Sequence, residues 1–122
     1  MAKLKLNPNP TFKRTLTFDT DDGPESLVVE CRHKSRTEFS DLWAEYKRSQ
    51  PKVENDEDID VRASIECQLD LIMKLAAGWD ADAEFNRENL RAFVDNYLEF
   101  FGAFMREYSE GLQRNKVGNS AR

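Results

Sequence analysis

Two kinds of residue in this chain could do chemistry: a thiol close to an imidazole, and clusters of carboxylates. Cys31 and His33 stand two apart in an alternating stretch, so on a strand they share a face with Cβ atoms roughly 6 to 7 Å apart. A cysteine nucleophile needs a base within hydrogen-bond reach and a third group to orient that base. The sequence suggests no third group, and an alternating strand ending in a polar residue accounts for the pair. Asp80-x-Asp82-x-Glu84 opens like a calcium loop. Its sixth position is Phe85 where glycine makes the turn, and its twelfth is Arg91 where a bidentate glutamate should close the shell. Asp19, Asp21 and Asp22, and the run ENDEDID at residues 54–60, read more simply as solvated turns, since like charges in a row repel one another.

Counting ligands narrows the choice further. The chain has 2 Cys, Cys31 and Cys67, and 1 His, with no CxxC spacing, which excludes the usual four-ligand zinc sites. Cys67 reads as a small buried hydrophobe. No GxGxxG, GxxxxGK[ST] or HExxH pattern is present. The reading is a protein that is not an enzyme, with no catalytic, metal or cofactor-binding residue.

The totals agree with a binding role. A length of 122 residues allows one domain with a modest core. Hydrophobic residues are 39% and charged residues 34%, yet 8 Phe, 3 Tyr and 2 Trp concentrate the apolar area in a few large side chains. A net charge of −5 disfavours nucleic acid, and the basic patch of KLK with Lys13 and Arg14 is too small to reverse that. No run is long enough to span a membrane. No leading apolar segment directs export, so a cytoplasmic protein with free thiols is expected.

The elements that must position these side chains are legible from periodicity. Residues 1–10, with Asn-Pro-Asn-Pro, form an extended arm. Residues 11–18 alternate as a strand with Phe12, Leu16 and Phe18 on one face and Arg14 the exception. After the turn DTDDGPE a second strand, 25–34, puts Leu27, Val29 and Cys31 on one face, which completes a hairpin. Ser35 and Glu38 fit a capping box for a first helix, with Thr37 a rival cap, and Phe39, Leu42, Trp43 and Tyr46 make its apolar stripe. A second helix is expected from about 58 to 77, ended by Gly78. Its stripe of Val61, Ile65, Leu69, Ile72 and Ala76 faces away from Leu71, Leu75 and Cys67, so it is either central in the core or shared with a partner. A third helical region follows the N-cap Asn86, with Leu90, Val94, Tyr97, Phe101, Phe104 and Tyr108 on one face and Phe93 and Phe100 on its flank. Gly102 is the place where it could bend. The fold class is α+β: an N-terminal β-hairpin followed by three to four α-helices. Residues 11–114 form the single domain, with the hairpin at 11–34 and the helical part at 35–114, and residues 115–122 form a disordered tail.

Four stretches, KLKLNPNPTFKRTLTF, HKSRTEF, LAAGWDADAEFNRENLRAFVDNY and the closing aromatic helix to LQRNK, resemble the tail assembly chaperones of long-tailed bacteriophages and prophages. The motif residues are Asn7, Pro8, Pro10, Phe12, Gly78, Trp79, Phe85, Leu90 and Tyr97. Two features depart from the family: the acidity of ENDEDID, and YLEFF, which continues the helix where a more turn-like Tyr-Pro segment belongs. The resemblance implies a small protein of the bacterial cytoplasm that binds the tape measure protein and keeps it soluble. It also implies help for major tail protein to assemble around that partner, absence from the mature virion, and a longer product made by frameshifting.

A holdase of that kind needs adaptable apolar surface ringed by charge. Leu71, Leu75, Phe93, Phe100 and Phe104 are the residues expected at that surface, against tape measure protein or a second copy of the chain. The open hairpin edges make a homo-oligomer a further expectation. The competing reading is a small phage-encoded regulatory or adaptor protein that binds a host or phage protein through the acidic run 54–60 and the hairpin edge.

Overall fold

A computed structural model describes residues 6, 9–51 and 60–114. Asn7, Pro8 and the first five residues of the N-terminal arm, most of the ENDEDID run and the tail 115–122 lie outside the described residues. Thr11 to Arg32 form the hairpin that the alternation requires. Strand β1 (Thr11–Thr20) pairs antiparallel with β2 (Gly23–Arg32), from Thr11 opposite Arg32 to Thr20 opposite Gly23. The turn is tighter than its composition suggests, because only Asp21 and Asp22 lie outside the ladder. Gly23 takes a φ of 104°, a left-handed value that a side chain would oppose. The Thr20 hydroxyl braces the turn, accepting from the Asp22 N–H at 3.2 Å and donating to the Gly23 carbonyl at 2.6 Å.

Four helices follow. Helix α1 (Arg36–Ser49) starts at the capping box: Ser35 Oγ accepts from the Glu38 N–H at 3.1 Å, and Glu38 Oε1 accepts from the Ser35 N–H at 2.8 Å. Helix α2 (Val61–Leu75) is capped by Asp60 and is buried at both stripes, with Leu69, Leu71, Ile72 and Leu75 all in the core. The C-terminal half of the helix is thus central in the core, while Val61 at its start is 61% exposed.

Two expectations about chain breaks are corrected. Helix α2 does not run on to Ala77 and stop at Gly78; it ends at Leu75, and Ala76–Trp79 form a short strand, β3. β3 pairs with β2 across Val29/Trp79, Glu30/Gly78 and Cys31/Ala76, giving a sheet of order β1-β2-β3 with an irregularity between Glu30 and Cys31. The gain is tertiary: β2 would otherwise present unpaired backbone groups along its second edge, and the small residues Ala76, Ala77 and Gly78 let a strand lie there. The second correction concerns the C-terminal half. It is two helices, α3 (Arg87–Asn96) and α4 (Phe100–Arg114), broken at Tyr97–Leu98–Glu99 and not at Gly102. No glycine or proline marks the break. Its cause is aromatic packing: residues seven apart in a continuous helix are separated by about 10.5 Å along the axis, whereas here the Phe93 and Phe100 rings stack with centroids 5.6 Å apart. The sharp return also lays α4 against β1.

The core lies between the sheet face carrying Leu16, Phe18, Leu27, Val29 and Cys31 and the inner faces of α2, α3 and α4. Tyr108 is fully buried, and its hydroxyl donates to the Arg32 carbonyl at 2.8 Å, tying α4 to the end of β2. Gly111 allows α4 to approach β1, for a Cβ there would stand 2.6 Å from Arg14 Cδ and from the Phe12 ring. Arg14, the exception in the strand pattern, reaches over α4 to Glu107 and Glu110, each at 2.7 Å. Phe100, 1% exposed, stacks on Phe18 at 5.7 Å as well as on Phe93. Phe100→Ala should therefore lower the unfolding free energy by about 3 to 5 kcal/mol, measured by urea denaturation, whereas Leu98→Ala on the exposed break should change it by less than about 0.5 kcal/mol.

Candidate functional site

Among the described residues the large hydrophobics left exposed are Leu6 before the hairpin, Val61 at the start of α2, and the adjacent pair Tyr97 and Leu98 at the break between α3 and α4. Leu98 is 95% exposed and Tyr97 37% exposed, at a turn held by the Phe100 N–H bonding to the Tyr97 carbonyl at 2.9 Å. Beside them a pit of about 230 Å³ opens between the hairpin and the end of α3, floored by Phe18, Leu27, Phe93 and Ala81 and edged by Tyr97. Each wall follows from a local rule. The strand alternation turns Phe18 and Leu27 to the same face, where Leu27 stands opposite Leu16 and Phe18 opposite Glu25. The helical repeat places Phe93 and Tyr97 one turn apart, with centroids 5.9 Å apart.

The fourth wall is the link from β3 to α3. Asp80 is fixed by two bonds to Val28: its N–H donates to the Val28 carbonyl at 3.0 Å, and its Oδ1 accepts from the Val28 N–H at 2.9 Å. Trp79 pins the same link, its indole N–H donating to the Ala83 carbonyl at 2.7 Å while its ring meets Phe85 and Phe93 edge-on at 5.0 and 4.9 Å. The acids that resemble the start of a calcium loop thus serve a backbone. Among the described residues no group of three or more His, Cys, Asp or Glu is placed to hold a metal ion. The rim is acidic, with Glu25 and Asp80 in the lining and no Lys, Arg or His. Such a surface favours an apolar side chain carried by a segment with positive charge.

Other grooves among the described residues carry more Asp, Glu, Lys, Arg and His side chains in their linings than the pit does. One between the start of α1 and the end of α4 holds His33, Lys34 and Arg36 beside Phe39 and Leu112. A second lies between α1 and α2 with Glu45, Asp70 and Lys74 in its lining. The third, between α2 and α3, is crossed by the Glu66 carboxylate, which takes Arg87 and Arg91 each at 2.7 Å.

The structure separates the residues expected at a partner surface. Phe93 lines the pit. Leu71, Leu75, Phe100 and Phe104 are 3%, 0%, 1% and 1% exposed and belong to the core; their apolar bulk is used up by the sheet and the neighbouring helices. Of the motif residues, Leu90 is core, Tyr97 edges the pit, and Trp79 and Phe85 pack under the link. Gly78 lies in β3, Phe12 packs against Tyr108 at 5.5 Å, and the Pro10 carbonyl accepts the His33 N–H at 2.8 Å. Sequence reasoning missed the exposure of Leu98, and it placed Phe18 and Leu27 on the core face, where they also floor the pit. The one signal for Leu98 was that YLEFF occupies a position where a turn was due.

The described residues form an α+β domain of hairpin and four helices, with an acid-rimmed, largely apolar pit beside the break between α3 and α4. The chain belongs to the phage tail assembly chaperones: the model of that family matches residues 1–119. Membership implies phage tail proteins as partners. No curated protein and no solved structure matches the chain. No helix among the described residues is long and apolar enough to cross a membrane.

Cys31 has none of the features of a nucleophile. It is buried on the core face, and burial pushes its thiol from an ordinary 9.0 up to about 12, against a smaller opposing pull from Arg14. Burial likewise raises the Tyr108 hydroxyl. Cys67, expected in the core, is only partly covered, and its thiol donates to the Ser49 carbonyl at 3.0 Å. Both raised groups keep their protons in the folded state at a pH where the unfolded chain has begun to lose them, so their contribution is intact below about pH 9 and declines as pH rises toward 12. The urea midpoint should fall over that range, and less steeply in Cys31→Ala. A thiol reagent at neutral pH should label Cys67 alone in the native protein and both cysteines after denaturation.

Proposed function

We propose that the chain binds the tape measure protein during tail assembly and holds it soluble until major tail protein assembles around it, leaving before the virion is complete. The observation that carries this reading is Leu98, 95% exposed next to a pit lined by Phe18, Leu27 and Phe93. A large aliphatic side chain held in water at a rigid turn, beside an apolar hollow, is the arrangement of a partner surface. A tape measure protein has long helices with apolar stripes, and a helix laid across the break would put Leu98 against one stripe residue and seat another in the pit. Glu25 and Asp80 favour lysine or arginine beside the seated residue.

The residues expected at the interface divide the work. Phe93 contacts the partner. Phe100 acts from beneath, since its ring supports both Phe18 and Phe93, and Leu71, Leu75 and Phe104 hold the core on which that layer rests. Competition between this chain and major tail protein for the same stripe would release the chaperone as the tail forms, with no reaction required of it.

Co-expression with the tape measure protein of the same phage tests this directly. The wild-type chain should co-purify with it and raise its soluble yield. Leu98→Asp should cut the recovered complex by about tenfold or more, while its circular dichroism and urea midpoint stay those of the wild type. A wild-type chain that recovers no tape measure protein removes the function. Full recovery by Leu98→Asp together with Tyr97→Asp removes the surface and leaves the function standing.

A further inference from the structure

β1 is an outer strand of the sheet, and its outer edge has no pairing partner among the described residues. Val28 fixes which backbone groups face that edge. Its N–H and carbonyl both bond to Asp80, so both point away from β1, and Thr15, directly opposite, is a non-hydrogen-bonded neighbour. The two kinds of pair alternate along an antiparallel ladder. Thr11, Lys13, Thr15, Thr17 and Asp19 therefore turn their N–H and C=O groups outward, and the even-numbered residues turn theirs toward β2. Lys13, Thr15, Thr17 and Asp19 are also exposed.

A ten-residue edge with its backbone groups open is a template for another strand, and the side chains on this one select which strand. Lys13 stands toward one end and Asp19 toward the other, with Thr15 and Thr17 between. An identical strand placed antiparallel about a two-fold axis at Leu16 brings Lys13 opposite the partner's Asp19, and Thr15 opposite the partner's Thr17. Leu16 then meets its own copy. Every outward-facing residue from 13 to 19 falls opposite another outward-facing residue, as hydrogen-bonded pairs require. Moving the axis to Thr15 or Thr17 loses both charge pairs within the strand. Opposite charges and paired threonines are favourable cross-strand neighbours, and like charges there are unfavourable.

We propose that β1 is a self-association edge: two copies of the chain pair antiparallel about Leu16 and join their three-stranded sheets into one of six strands. The occupant is a second copy because the charge order of the edge complements itself when reversed. The interface is distinct from the pit, so it stands or falls apart from the tape measure reading.

Sedimentation equilibrium of the purified chain tests the pairing. The wild type should fit a monomer–dimer equilibrium. Thr15→Pro removes one outward N–H without touching a hairpin bond, and it should be monomeric with an unchanged circular dichroism spectrum. Asp19→Lys alone and Lys13→Asp alone should each dimerise about tenfold more weakly, since each places like charges opposite one another twice. An equimolar mixture of the two restores both pairs and should dimerise like the wild type. Should Thr15→Pro fail to fold, that mixing experiment decides. A wild type that stays monomeric, or a dimer that survives both charge variants unweakened, overturns the proposal.

Discussion

The fold depends on the anchorage of Tyr108. Its ring is fully buried among Phe12, Phe39 and Phe104, and its hydroxyl bonds to the Arg32 carbonyl where β2 ends. One side chain thus joins the last helix, the first strand, the end of the second strand and the first helix. A buried hydroxyl without a partner costs roughly 1 to 3 kcal/mol, so α4 has a defined height and rotation on the sheet. Gly111, one turn further on, sets how near it sits. With α4 fixed at that end, Phe100 at its other end is carried onto Phe18, and α3 must turn back at Tyr97–Glu99 to reach it.

That chain of constraints explains what the amino-acid order revealed and what it withheld. The hairpin and the capping box were legible because their signals are local: alternation in 11–18 and 25–31, and a serine three residues before a glutamate. The α+β class followed from them. β3 was not legible, since AAGW has no strand period and forms one only because β2 leaves an edge open beside it. The break at 97–99 was hidden for the same reason: YLEFF carries no helix breaker, and stacking of Phe93 on Phe100 is a contact that helical periodicity alone does not anticipate.

Of the residues expected at a partner surface, only Phe93 lines the pit. Counting aromatics identifies a surplus without saying which rings are used internally. Phe100 looked spare because it widens the stripe on which Phe104 lies, yet both rings are taken up by the core. Leu98 falls on neither the stripe nor its flank, so periodicity gave no reason to single it out. The backbone turns within YLEFF, and leucine takes the most exposed place on the break.

The two edges of the sheet are built differently. β3 is only four residues long, its ladder to β2 is irregular at Glu30/Cys31, and Asp80 plugs the backbone of Val28 beyond its end. An incoming strand finds little to extend there. β1 by contrast is long and regular. A sheet with one blunted margin cannot propagate, because each added copy would need a second free margin to receive the next. Two copies joined at β1 would present only the blunted β3 margins to a third.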